Sequence, residues 1–110
     1  MGQLTVKDKK EIYRLRAFFP GNVGMRVRRS KDGGFSAAVT TFPGVFTEAD
    51  TFSELIGMVN DAVMTYFEVP RRYVSFMPSY IPPLRAAQVF GAFPMFEKEK
   101  NFRLERASPS

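Results

Sequence analysis

Hydrophobic and polar positions alternate most clearly in "VGMRVRR", residues 23–29. Val23, Met25 and Val27 take one side, and Gly24, Arg26 and Arg28 take the other. A period of two is the signature of a strand with one face in a core, and here the outer face is basic. "FSAAVTTF", starting at residue 35, repeats the pattern with Phe35, Ala37 and Val39 on one side. Between them "SKDGG" reads as a tight turn, because Asp-Gly and Gly-Gly accept positive φ at little cost. Pro43-Gly44 then interrupts the ladder, since proline offers no N–H and glycine permits a bend. "VFTEAD" follows as a short strand or extended arm. The earlier stretch "EIYRLRAFF", residues 11–19, fits two periods. Tyr13, Leu15, Ala17 and Phe19 alternate as in a strand, whereas Ile12, Leu15 and Phe19 suit a helical stripe. Pro20-Gly21-Asn22 is a strong turn signal, so the preferred reading pairs residues 11–19 with 23–29 as a hairpin.

The period changes at Thr51. Thr51-Phe52-Ser53-Glu54 has the form of a capping box, with the Thr51 hydroxyl accepting from the Glu54 N–H and the Glu54 carboxylate accepting from the Thr51 N–H. Beyond it Phe52, Leu55, Ile56, Val59, Ala62, Val63, Tyr66 and Phe67 fall on one helical face. The predicted helix ends near Glu68, because Pro70 restricts Val69. Gly57 lies off the apolar stripe, so core packing does not call for it. "RRYVSFMPSYIPP" predicts a fourth strand over residues 73–77, ended by Pro78. The remainder is aromatic and then charged, without a clean period. This order of elements predicts an α+β fold, a small antiparallel sheet of three or four strands covered on one face by one amphipathic helix. The corresponding division is an N-terminal extension (1–22, an extra strand or helix), an α+β domain (23–80) and a tail (81–110).

Composition narrows the functions. The 110 residues include neither Cys nor His. Disulfides, thiolate nucleophiles, the usual neutral-pH acid/base and the commonest metal ligand are therefore absent. No apolar run approaches the roughly 20 residues of a membrane span, and no signal peptide is evident, so a soluble cytoplasmic protein is expected, without membrane partners. Net charge is +5, from 16 Lys+Arg and 11 Asp+Glu. Glu54, Asp61 and Glu68 give the predicted helix −3, which leaves +8 for the rest. The chain is electrically two-sided.

Three candidate sites follow. Glu48 and Asp50, with Asp32, could hold magnesium for phosphodiester chemistry. As turn residues ahead of a helix N-terminus their charge also favours the helix dipole, and that second reading is preferred. No catalytic residue, metal or cofactor is assigned, and no enzyme is expected. Arg26 and Arg28, joined by Arg29, Arg71 and Arg72, could contact phosphate, with Phe35 or Phe76 adding stacking; a solvated sheet face that protects against edge aggregation also explains them and is preferred. The phosphate contact is the alternative function, a nucleic-acid-binding regulator using Arg26, Arg28, Arg71 and Arg72. The tail aromatics Phe90, Phe93, Phe96 and Phe102 either dock on a partner or pack on the chain's own sheet.

The stretch "GGFSAAVTTFPGVFTEADTFSEL", with the following "NDAVMTYFE", resembles the HicB family of antitoxins. Gly33, Gly34, Phe35, Ala37, Pro43, Gly44, Thr47, Asp50, Thr51 and Glu54 sit on the family pattern, which covers about residues 23–77. Ala49 stands where the family has Gly, Leu55 where Ala is typical, and Thr40-Thr41 where Pro-Asp is common. The resemblance implies a partial RNase H-like fold of three antiparallel strands, a helix and a fourth strand, without nuclease acids. It implies neutralisation of a HicA-type mRNA interferase toxin by protein–protein contact, a homo-oligomer, and possible binding to operator DNA. On that reading Glu54, Asp61 and Glu68 steer a basic toxin, and Phe76, Tyr80, Phe93 and Phe96 supply buried contact.

Overall fold

The chain enters through a helix. The computed structural model describes residues 4–31, 33–82 and 99–107. Its first element is α1 (Val6–Phe18), opened by a complete capping box: the Thr5 hydroxyl accepts from the Asp8 N–H and the Asp8 carboxylate accepts from the Thr5 N–H, each at 3.0 Å. The hairpin expected for residues 11–19 is therefore corrected to a helix. Strand alternation would have turned Tyr13 inward beside Leu15, yet Tyr13 is 80% exposed while Ile12 and Leu15 are buried. Lys, Arg, Glu and Leu side chains, none branched at Cβ, lose little rotamer freedom in a helix, and the box satisfies donors at its start. Pro20 ends it, holding Phe19 extended at φ −76°, ψ 126°.

Asp8 does a second job. The Tyr73 hydroxyl donates to its carboxylate at 2.6 Å. That bond, followed by those from Thr5, holds the Asp8 carboxyl far below the ordinary carboxylate range, at about 2. A carboxyl depressed in the folded state contributes stability that is present above its unfolded pKa near 4 and is lost as pH falls towards 2. Asp8→Asn is therefore expected to flatten the acid limb of stability between pH 4 and about 2, measured by urea unfolding at a series of pH values.

β1 (Asn22–Arg29) and β2 (Phe35–Val39) form the predicted antiparallel hairpin, in register from Met25↔Val39 to Arg29↔Phe35. Val23, Met25, Val27, Phe35, Ala37 and Val39 are all buried. The Pro43-Gly44 corner returns the chain, with Gly44 at φ +82°, where a side chain would be strained. β3 (Phe46–Ala49) then pairs with β2 from Phe35↔Ala49 to Ala38↔Phe46.

α2 (Phe52–Tyr66) buries Phe52, Leu55, Val59 and Val63 against the sheet. It ends two residues before the expected Glu68. Val69 N–H donates to the Met64 C=O and Glu68 N–H to the Thr65 C=O, which is the paired bonding of a Schellman stop. The left-handed position falls on Glu68, at φ 54°. Glycine is the usual occupant, so Glu68→Gly is expected to raise unfolding free energy by about 1 kcal/mol, read as a higher denaturation midpoint.

The fourth strand expected over residues 73–77 is replaced by a 3-10 helix (Arg71–Phe76), with Tyr73 N–H donating to Pro70 C=O and Met77 N–H to Val74 C=O. Tyr73 and Met77 are buried and Val74 is exposed. Pro78 precedes a strand instead of ending one: β4 (Ser79–Ile81) begins directly after it, a place where a missing N–H is tolerated. The largest departure lies in the tail. β5 (Glu99–Ala107) inserts between β1 and β4, giving a five-stranded antiparallel sheet in the order β3-β2-β1-β5-β4. The fold is α+β as expected, with five strands where three or four were predicted, and the N-terminal extension, expected as an extra strand or helix, is the helix α1. Ile12 and Leu15 of α1 and Leu104 of β5 share one core with β1, β2 and α2. No helix among the described residues is long and apolar enough to cross a membrane.

Candidate functional site

The pattern residues of the opening stretch take up turn, cap and core positions. Gly33 has φ +93° at the hairpin tip, where Gly33 N–H donates to the Ser30 C=O. A Cβ on Gly34 would come within 3.1 Å of the Ala49 carbonyl, so this glycine lets the hairpin lie close to the end of β3. Phe35 is buried with its ring 6.2 Å from Phe52, which removes it as an exposed stacking platform. Ala37 is buried opposite Thr47. Pro43 and Asp50 are exposed. Thr51 caps α2 by accepting from the Glu54 N–H at 3.1 Å, but the return bond from Glu54 does not form, so only half of the expected capping box is present.

Glu54 instead lines a groove. This open cavity, about 730 Å³, runs between α2 and the β2–β3 edge, and Glu48, Asp50, Glu54 and Asp61 all border it. Gly57 and Met58 complete its helical wall. Nothing lies within 4 Å of where a Gly57 side chain would begin, and Met58 is 45% exposed. Among the described residues that line the groove the charged ones are all acidic. Glu68, predicted on the same stripe, leaves it because α2 stops at Tyr66. Among the described residues no group of three or more acidic side chains is arranged to hold a metal ion; Asp32, the third residue of the magnesium candidate, lies outside the described residues.

The basic residues divide between two sides of the sheet. Arg26 and Arg28 are exposed on the face of β1 turned away from α2, where they border a smaller cavity of about 430 Å³ with Ser36, Ala38, Phe46, Thr47 and Glu48. Arg26 also approaches Asn101 of β5 at 3.4 Å. Arg71 borders a different groove, with Asp61, Met64 and Thr65 on the α2 side, and Arg72 stacks on the Tyr73 ring at 4.6 Å. The four arginines of the nucleic-acid alternative do not share one surface.

The aromatic contact set also separates. Tyr80 is fully buried, and its hydroxyl donates to the Pro20 C=O; burial pushes its phenol pKa up. Phe76 is half-buried against the core. Phe102 packs within the chain, its ring 6.0 Å from Phe52, while Phe90, Phe93 and Phe96 lie outside the described residues. Sequence reasoning did not single out Met58 or Phe46. Met58 falls off the helical stripe, and Phe46 is the apolar residue on the outward parity of β3, at 75% exposure.

No protein-family model, curated protein or solved structure matches the chain. The functional argument therefore rests on these surfaces and on the motif.

Proposed function

We propose that the chain is a HicB-like antitoxin domain that neutralises a HicA-type mRNA interferase by protein–protein contact. The observation that carries this reading is the joint placement of the motif residues. Gly33 and Gly44 occupy left-handed turns, Gly34 allows a close backbone approach, and Thr51 launches an amphipathic helix from the end of a three-strand meander. The partial RNase H-like description, three strands, a helix and a fourth strand, is part of the same proposal; β1, β2, β3 and α2 follow it in order, and the fourth strand expected over residues 73–77 does not form there. The placement of β5 beside β1, with β4 at the outer edge, goes beyond that pattern.

An RNA-binding toxin is basic, and the groove bordered by Glu48, Asp50, Glu54 and Asp61 offers it a surface of opposite sign. Such complementarity acts chiefly on encounter rate and choice of partner. The decisive experiment co-expresses the chain with a short, basic, His-containing protein encoded by an adjacent gene and measures complex formation and RNA cleavage. The expected result is a stable complex with cleavage suppressed. Reversing Glu54 and Asp61 to Lys is expected to slow association about tenfold at low salt, with a smaller effect at high salt. Absence of a complex, or cleavage undiminished within one, would remove the antitoxin reading.

A further inference from the structure

We propose that the outward face of α1 binds an unpaired RNA strand, with its cations following the phosphates and the Tyr13 ring stacking on a base. The helix is anchored by one side, on which Ile12 and Leu15 are buried. On the opposite side Val6, Lys10, Tyr13 and Ala17 succeed one another at the spacing of a single helical face. Lys9 and Arg16 neighbour this row on one flank, and Lys7 and Arg14 on the other. Val6 and Tyr13 are 70% and 80% exposed, and Phe18, beneath the Arg14 guanidinium, is 58% exposed. Packing does not call for these three, and neither does helix propensity, since valine and aromatic residues are only middling helix formers.

The acids of α1 leave this face to its cations. Asp8 is turned to the Thr5 N–H and the Tyr73 hydroxyl, and Glu11 is bonded by Arg14. No described acidic side chain forms an ion pair with Lys7, Lys9, Lys10 or Arg16. Arg72 extends the patch beyond the helix: its guanidinium lies 4.6 Å from the centroid of the Tyr73 ring, whose hydroxyl reaches Asp8. The cations therefore gather along a helix of about 20 Å, with exposed rings set between them.

Those rings choose among anionic partners. A nucleic-acid duplex offers phosphates but keeps its base faces stacked inside, which leaves Tyr13 nothing to cover. An anionic membrane needs a broad apolar helical face to sink among acyl chains; Lys10 interrupts that face between Val6 and Tyr13, and Ile12 and Leu15 are committed to the core. An unpaired strand supplies phosphates for the cations and open base faces for an aromatic ring. RNA is the nucleic acid whose loops and ends present such bases. This binding requires nothing of the antitoxin reading, and its test uses no toxin.

Anisotropy of a fluorescein-labelled oligouridine of about ten nucleotides, titrated with the full-length chain, measures it. Binding is expected that weakens steeply with added salt. Lys9→Gln combined with Lys10→Gln should flatten that salt dependence, whereas Tyr13→Ala should lower affinity about tenfold and leave the slope nearly unchanged. All three are exposed side chains, and an unchanged melting temperature verifies that the fold is kept. Because the chain has no Trp, a second readout is independent of affinity. Emission from Tyr13→Trp is expected to fall as the RNA binds, while that from Phe46→Trp on β3 stays constant. Oligothymidine should compete, since neither contact uses the 2′-hydroxyl, and a DNA duplex should compete poorly. Absence of binding at low salt, or undiminished affinity in Tyr13→Ala, would overturn the proposal. So would quenching of Phe46→Trp without quenching of Tyr13→Trp, or equally tight binding of the duplex or of phosphatidylserine vesicles.

Discussion

Asn60→Ala is expected to cost about 2–3 kcal/mol of unfolding free energy. Asn60 lies in the third turn of α2, where asparagine is a poor helix former, and its amide pins β4 to the helix. The side-chain Oδ1 accepts from the Tyr80 N–H at 2.6 Å, and Nδ2 donates to the Tyr80 C=O and to the Ile56 C=O, both at 2.9 Å. The side chain thus behaves like a short stretch of strand, meeting both backbone groups of a residue whose ring is fully buried. Truncation to alanine leaves a donor and an acceptor without partners next to the core, and the stranded groups account for most of the expected loss. Urea unfolding measures it directly. Asn60→Asp separates hydrogen bonding from packing: at neutral pH the carboxylate keeps the bond from Tyr80 N–H but turns an acceptor towards two carbonyls. It should be at least as destabilising there and recover partly when protonated. A change below about 0.5 kcal/mol for Asn60→Ala would place it with ordinary surface substitutions and discard the bridging role.

Where local period and turn chemistry agreed, the fold was legible in the sequence. The β1–β2 hairpin combined clean alternation with an Asp-Gly-Gly turn, and α2 combined a wide apolar stripe with a threonine cap; neither admits a second arrangement that buries the same side chains. Residues 11–19 fitted two periods at once, and the deciding signal lay upstream. Thr5 and Asp8 stand three apart, but Asp is not the Glu or Gln that usually marks a capping box, so the helix start was overlooked. The 3-10 helix carries Tyr73 to the Asp8 carboxylate 65 residues away, a contact that no local pattern carries. The acidic groove was partly legible. Glu54 and Asp61 were named from their spacing on α2, but Glu48 and Asp50 join them only because β3 runs beside the helix. Glu68 was lost to a helix stop governed by backbone hydrogen bonds. Tyr80 was misplaced because one aromatic between prolines reads as exposed when its neighbours β5 and Asn60 are not in view.

Leu104→Ala is expected to cost about 3 kcal/mol, and to lower the melting temperature by roughly 10–20 °C, because Leu104 anchors the strand that completes the sheet. It is fully buried and sits opposite Val23. β5 pairs with β1 from Asn22↔Glu105 to Arg28↔Glu99 and with β4 on its other side. Arg106 adds a bond from its guanidinium to the Phe19 C=O at 2.8 Å, and its N–H donates to the Gly21 C=O, so β5 also fixes the corner between α1 and β1. Alternation of Phe102, Leu104 and Arg106 against Asn101, Arg103 and Glu105 is present in the sequence, but one arginine on the inner parity hides it; the aliphatic stem of arginine can lie along apolar surface while its charged end reaches polar partners. The consequence bears on any search for partner contacts in the tail. Deleting residues 84–110 removes a central strand, so loss of a complex in that truncation would report unfolding and not the loss of a docking surface. Leu104→Ala distinguishes the two roles. A large drop in melting temperature, with the partner still bound below the transition, marks β5 as structural. An unchanged melting temperature would mean that β1 and β4 hold their places without it.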